Sequence, residues 1–147
     1  MNCDTFTQIV ISSIVATSVM TLFSYIISAS FRELYKEPVL LGYCLTTFNL
    51  SISKNLKIIL GWVLHYIIGV LFVIGYHLVW INDVMLQNWI SALILGAVSG
   101  LIGILSWIII FKISKYKPKI DFKGYYLQLF FAHVIFGLSA LIVYNLF

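Results

Sequence analysis

Long apolar runs dominate the hydrophobic pattern of the chain, and short polar stretches separate them. A membrane-spanning helix needs roughly 20 mainly apolar residues, and four runs are of about that length. They extend over about residues 9–30, 58–81, 89–113 and 125–146. The pattern predicts an all-α fold, a four-helix transmembrane bundle that forms a single integral membrane domain over residues 1–147.

Composition agrees with a membrane location, and the charges predict an orientation. Of the 147 residues, 62% are hydrophobic and only 10% are charged, which is unusual for a soluble domain. The nine Lys and Arg residues all lie in or beside the first and third loops. By the positive-inside rule, loops 31–57 and 112–124 face the cytoplasm and both termini face outward. We therefore predict a multi-pass protein of a cell inner (plasma) membrane, whose basic loops meet lipid head groups and not nucleic acid.

Small and hydroxyl-bearing residues recur every three or four positions along the predicted spans. This spacing places them on one stripe of each helix, where small side chains let helices approach closely in lipid. The favoured interpretation is helix packing, within the chain or between copies of it; for the first span, a hydroxyl-lined cavity is the alternative. The packing residues predicted in this way are Thr17, Thr21, Gly69, Gly96, Gly100, Gly103 and Gly137.

Two histidines occupy matching places in the second and fourth spans. His65 precedes Tyr76 by the same spacing that separates His133 from Tyr144 further along the chain. An ionisable side chain is costly inside a membrane, so a histidine that recurs in register is the strongest functional signal in the chain. At about 1.5 Å per residue, both histidines are expected roughly 10–12 Å from the cytoplasmic helix ends.

The recurrence extends to the first and third spans and predicts two tandem helical-hairpin repeats. Ser24–Ile27 matches Ser106–Ile109, and the longer first loop explains why this pair of segments lies further apart in the chain than the two histidines do. Each unit begins and ends outside, so the repeats would be parallel. The two serines are expected at a depth similar to that of the histidines.

The segments around the spans also allow predictions. The loop 82–88 is short, so the second and third spans are expected to be antiparallel neighbours. Tyr76, His77 and Trp80 are interpreted as aromatic anchors at the outer interface. In the first loop, Pro38 precedes an apolar stretch that is too short to span, which is expected to lie at the cytoplasmic interface or to form a shallow re-entrant segment.

Three functions fit these residues. In the first, each histidine is satisfied by neighbouring helices, and the chain is a small non-enzymatic subunit that packs with itself or with a larger membrane complex. In the second, haem or a transition metal binds between His65 and His133, because neutral imidazole ligates both. In the third, histidines relay protons during small-solute transport. The candidate ligand or proton site consists of Ser24, His65, Tyr76, Ser106, His133 and Tyr144.

Catalysis is disfavoured because no carboxylate lies within a predicted span. A serine beside a histidine would lack the acid that orients the base, so no residue is assigned a catalytic role. A closed zinc site usually has four ligands, and the spans offer no third ligand at the depth of the histidines. The lack of an acidic residue also weighs against proton-linked transport.

Several segments resemble a family of small four-span bacterial inner-membrane proteins that is grouped as a domain of unknown function. The resemblance rests on Ile14–Thr21, Gly61–Gly69, the Gly-rich third span and His133–Tyr144. It covers most of the membrane portion through short motifs, whereas the first loop is longer and more charged than in the family. The resemblance implies the four-span architecture and adds no reaction.

Overall fold

Most of the chain is helical. The computed structural model describes residues 3–45, 53–114 and 118–147. Within them the helices are α1 (Cys3–Phe31), α2 (Glu37–Cys44), α3 (Lys54–Ile81), α4 (Trp89–Ile113) and α5 (Phe122–Tyr144), and no strand is present. Helices α1, α3, α4 and α5 are long and apolar enough to cross a membrane. The prediction of an all-α four-helix membrane bundle is therefore confirmed.

Parts of both basic loops, residues 46–52 and 115–117, lie outside the described residues. They include Lys115 and Lys117, two of the charges on which the predicted orientation depends. Where the loops lead into helices, side chains cap the helix starts. Ser53, Asn88 and Asp121 accept hydrogen bonds from backbone N–H groups in the first turns of α3, α4 and α5, which satisfies donors that a helix start leaves unpaired.

The closely packed helix pairs are α4 with α5, α1 with α5, α1 with α3, and α2 with α3. Helices α4 and α5 meet at two glycines. A Cβ atom on Gly137 would lie 3.0 Å from the Cα atom of Gly96 and 2.5 Å from the carbonyl oxygen of Ala92. Only glycine permits so close an approach of two helix backbones.

The consecutive helices α3 and α4, predicted to be antiparallel neighbours, are not among the closely packed pairs, although side chains join them at one end. We call the end of the bundle that carries the 82–88 loop the distal end and the opposite end the proximal end. Toward the distal end, the hydroxyl groups of Tyr76 and Ser99 are 2.8 Å apart, and Trp80 Nε1 donates to Ser91 Oγ over 3.1 Å. A short loop fixes only the ends that it joins, and the two helices separate beyond these contacts.

Helix α2 fills space at the proximal end. A Cβ atom on Gly61 of α3 would collide with the backbone carbonyl of Pro38, so α2 rests directly on α3. On its other side, Leu40 belongs to a buried cluster with Trp107 of α4 and Leu129 of α5. The segment predicted to lie at the cytoplasmic interface or to form a shallow re-entrant segment is thus a short helix, with Pro38 in its first turn, that packs into the core of the bundle.

The predicted aromatic anchors are also buried. Tyr76, His77 and Trp80 all lie inside the distal half of the bundle. The Nδ1 atom of His77 is 2.5 Å from the hydroxyl group of Tyr144, and the ring centroids of Trp80 and Tyr144 are 4.9 Å apart. These side chains lie inside the bundle, where they contact α4 and α5, and do not project from it as interfacial anchors do.

Candidate functional site

A cavity of about 510 Å³ lies proximal to the Tyr76–Ser99 contact, where α3 and α4 separate. All five helices contribute to its wall. The wall is mostly apolar, with polar groups at a few points, which is the usual composition of a small-molecule site. The lining residues that decide its chemistry are Thr17, Glu37, His65, Phe72, Gly103, Ser106, Trp107, His133 and Phe136.

His65 and His133 share this cavity. Helix α3 begins at Lys54 and helix α5 at Phe122, so each histidine lies three helical turns beyond the first residue of its helix. At about 1.5 Å per residue, each is roughly 16 Å from the proximal start of its helix. This depth exceeds the expected one because both helices begin about one turn earlier than the predicted spans.

The contacts of His133 fix its tautomer. Its Nδ1 atom is 2.9 Å from the carbonyl oxygen of Leu129, and a carbonyl oxygen only accepts, so Nδ1 carries a proton and donates. In a neutral imidazole the other nitrogen, Nε2, then holds a free lone pair. A Cβ atom on Gly103 would lie 3.2 Å from Nε2, so this glycine leaves room for the ring at the cavity wall.

His65 has the opposite tautomer. Its Nε2 atom is 2.9 Å from the hydroxyl oxygen of Thr21, and that hydroxyl donates its one proton to the carbonyl oxygen of Thr17 over 2.6 Å. The hydroxyl can therefore only accept from His65, which means that Nε2 carries the imidazole proton and Nδ1 holds the lone pair. Each histidine thus retains one nitrogen that can accept a hydrogen bond from a ligand.

A buried carboxyl group also lines the cavity. Glu37, the first residue of α2, lies outside the four spans but is only 2% exposed. Its Oε1 atom accepts hydrogen bonds from Ser24 Oγ (3.0 Å) and Gln128 Nε2 (3.3 Å). Its Oε2 atom has no hydrogen-bond partner among the described residues. Burial raises the pKa of the Glu37 carboxyl to about 7 despite these hydrogen bonds, so the group changes its protonation near neutral pH.

Glu37 is not among the site residues predicted from the sequence, because it lies in a loop outside the predicted spans. One local signal was present, since Glu37 followed by Pro38 is typical of the first turn of a helix. That signal predicts a helix start but not its burial. Burial depends on the fit of α2 against α3, where a Cβ atom on Gly42 would lie 2.9 Å from the carbonyl oxygen of Lys57.

The other candidate site residues divide into three groups. Ser106 lines the cavity and is exposed at its edge. Ser24 is linked to the cavity through its hydrogen bond to Glu37. Tyr76 and Tyr144 lie distal to the cavity and bind Ser99 and His77 instead. Matching positions in the sequence therefore do not give the two tyrosines matching partners.

The predicted packing residues lie at helix contacts, and some of them serve the cavity as well. Thr17 of α1 lies against Gly69 of α3, and both line the cavity. Gly100 lies against Phe130 of α5. Thr21 and Gly103 each contact a histidine, as described above.

The site offers hydrogen bonding and proton exchange. Across residues 3–45, 53–114 and 118–147, no group of three or more His, Cys, Asp or Glu side chains is placed to hold a metal ion.

Comparisons with protein-family models, curated proteins and solved structures give no match. The molecule is thus a multi-pass membrane protein with an internal polar site, and its role has to be inferred from that site.

Proposed function

We propose that the protein binds a small lipid-soluble molecule in the cavity between α3 and α4. The opening of the cavity carries this proposal. Leu71 of α3 and Ile102 of α4 line the cavity, yet they are 62% and 47% exposed. In a bilayer, exposed apolar side chains on spanning helices face hydrocarbon. A ligand can therefore enter sideways from the lipid.

The size and lining of the cavity support the same function. Its volume of about 510 Å³ lies within the range of roughly 300–1,000 Å³ found for small-molecule sites. The free nitrogens of His65 and His133 accept hydrogen bonds, while the rest of the wall is suited to an apolar body. Such a division fits an amphiphile, a molecule with a polar head and an apolar remainder.

Helix packing alone accounts less well for the same residues. The glycine stripe of α4 contacts α5 of the same chain through Gly96, Gly100 and Gly103. These glycines therefore have intramolecular partners, and their pattern does not require a second subunit. Packing also leaves unexplained a cavity at which two histidines and a carboxyl group meet.

Filling the cavity with a larger side chain should weaken ligand binding. A brominated long-chain alcohol is a suitable probe, because bromine quenches tryptophan fluorescence on contact and Trp107 lines the cavity. We expect saturable quenching in the wild-type protein in detergent, with at least about tenfold weaker binding, or about 1.4 kcal/mol, in Gly103→Leu. Ser106→Phe, a change at the exposed edge, should also weaken binding.

Two controls interpret the quenching experiment. Gly75→Leu adds the same side chain as Gly103→Leu at a position of α3 with open space around it, and it should bind like wild type. Trp107→Phe should remove the saturable part of the signal. Quenching that rises linearly with probe in every variant would show partition into detergent only and would refute the proposed function.

The protein resides, in this proposal, in a cell inner membrane with the proximal end in the cytoplasm. The helix boundaries also support the two-hairpin repeat: α1 and α4 end equally far after Ser24 and Ser106, and α3 and α5 begin equally far before their histidines.

A labelling experiment tests the proposed orientation. Asp83 lies in the distal loop, so Asp83→Cys in a Cys3→Ser background should react with a membrane-impermeant maleimide added to intact cells. Labelling that occurs only after lysis would contradict this orientation and place the distal end in the cytoplasm.

A further inference from the structure

The charges around the cavity narrow the class of ligand, in an inference that rests on the proposed function. We propose that the cavity binds a lipophilic organic cation, an amine or quaternary ammonium type, and that this cation replaces the proton of Glu37. The exchange conserves charge. In the empty site the carboxyl group is neutral; when the cation binds, the O–H bond of Glu37 is broken, the proton leaves to water, and a carboxylate–cation pair remains.

The polar wall of the cavity is rich in hydrogen-bond acceptors. Among the described residues that line it, none is Lys or Arg. The lysine next to Glu37 in the chain, Lys36, places its Nζ atom 4.7 Å from the ring centroid of Tyr25 on α1. An anionic head group would meet the Glu37 carboxyl and the lone pairs of His65 and His133, whereas a cation would be attracted by all three.

Aromatic rings complete a surface suited to a cation. Phe72, Trp107 and Phe136 line the cavity, and the ring centroids of Phe72 and Phe136 are 6.2 Å apart. The faces of aromatic rings attract cations, and organic ammonium groups are commonly recognised in this way. These rings also provide apolar contact for the substituents of a lipophilic cation.

The state of Glu37 links binding to protonation. A carboxylate is costly in an apolar site unless it is paired, and the Oε2 atom has no partner in the described part of the chain. A proton removes the charge when the site is empty, and the pKa of about 7 means that this proton can be displaced near neutral pH. Proton and ligand therefore compete.

Other titratable groups surround Glu37 and have to be separated from it. The phenols of Tyr25 and Tyr125 interact with it electrostatically, but ordinary phenols titrate near pH 10 and stay neutral in the range of interest. A charged imidazole would repel a cation, so protonation of either histidine would weaken binding at low pH in the same direction as protonation of Glu37. The groups to be separated from Glu37 are thus Tyr25 and Tyr125, which interact with it, His65 and His133, which line the same cavity, and its chain neighbour Lys36.

The test uses the full chain in detergent with two ions of matched size and opposite charge, tetraphenylphosphonium and tetraphenylborate. Calorimetry should show saturable binding of the phosphonium and not of the borate. Since one proton leaves for each cation bound, the affinity should rise about tenfold per pH unit below pH 7 and level off above it. In weakly buffered solution at pH 6, about one proton should be released per phosphonium bound.

Two variants show which group releases the proton. Glu37→Gln keeps the hydrogen-bonding shape but cannot ionise, so it should bind the phosphonium at least about tenfold more weakly at pH 8 and release no proton. His133→Gln should bind the phosphonium more weakly, because it loses one lone pair, but each cation that does bind should still release about one proton. Equal binding of both ions, no proton release in the wild type, or loss of release in His133→Gln alone would overturn the inference. If the brominated alcohol still binds saturably in that event, the proposed function stands while the cation class is wrong.

Discussion

Replacing Glu37 by Gln should remove the loss of stability that Glu37 causes in the ligand-free protein as the pH rises toward 7. The ordinary pKa of 4.5 applies to the unfolded chain, and the folded value is about 7. Below pH 4.5 both states hold the proton, and burial of the neutral group has no ionic cost. Between pH 4.5 and 7 only the unfolded state loses it, so the free energy of unfolding falls as pH rises, by up to about 1.4 kcal/mol per unit. The total loss is about 3 kcal/mol, reached near pH 7 and constant above it.

Denaturation in detergent at pH 5, 6 and 8 measures this effect. Other titrating groups, among them the two buried histidines, contribute to both proteins, so the effect of Glu37 is the difference between them. The stability of Glu37→Gln relative to wild type should increase from pH 5 to pH 8, and Glu37→Gln should be the more stable protein at pH 8. Glu33→Gln, the same chemical change at a half-buried residue four positions earlier, should behave like wild type. A difference in stability between Glu37→Gln and wild type that is the same at pH 5 and pH 8 would contradict the assignment of a buried, neutral Glu37.

Gly137→Leu should destabilise the bundle by about 3 kcal/mol, the upper end of the usual cost of overpacking. The new side chain would meet the backbone of α4, since even its Cβ atom would lie 2.5 Å from the carbonyl oxygen of Ala92. A backbone cannot rotate away as a side chain can. The two helices would have to separate, which also moves His133, one turn earlier on α5, away from the cavity wall.

Both the unfolding temperature and the affinity for the ligand should be lower in Gly137→Leu than in wild type. Gly75→Leu is the matched control, because it adds the same side chain to a spanning helix at a position with nothing within 4 Å. Its unfolding temperature should stay close to that of wild type. Equal unfolding temperatures for Gly137→Leu and Gly75→Leu would show that the backbones of α4 and α5 do not approach closely at Gly137.

Local patterns predicted the architecture and half of the site. Long apolar runs determine the spans because each helix must satisfy its own backbone in lipid, and the recurrence in register drew attention to His65 and His133. The cavity itself could not be read from the sequence. It exists because α3 and α4 separate, and the length of a loop says nothing about helix packing far from that loop.

Glu37 is the clearest example of a site residue that local sequence patterns do not predict. Its sequence context is charged, with Arg32, Glu33 and Lys36 nearby, which is typical of a solvated loop. Its burial results from α2 fitting between longer helices, and those contacts join residues that are far apart in the chain. Tyr76 and Tyr144 show the opposite case. Their matched spacing from the histidines predicts that both belong to the site, but in the structure they lie outside the cavity and have different partners.

The hydrogen bonds of Tyr76 and Trp80 to α4 close the gap between α3 and α4 at the distal end. Ile68 at the cavity lies two helical turns from Tyr76, or about 12 Å along the helix. At the other end of the gap, α2 packs on α3 and shares a buried cluster with Trp107 of α4. The opening is therefore bounded at both ends, and its length along the membrane normal limits which part of a long ligand can enter the site.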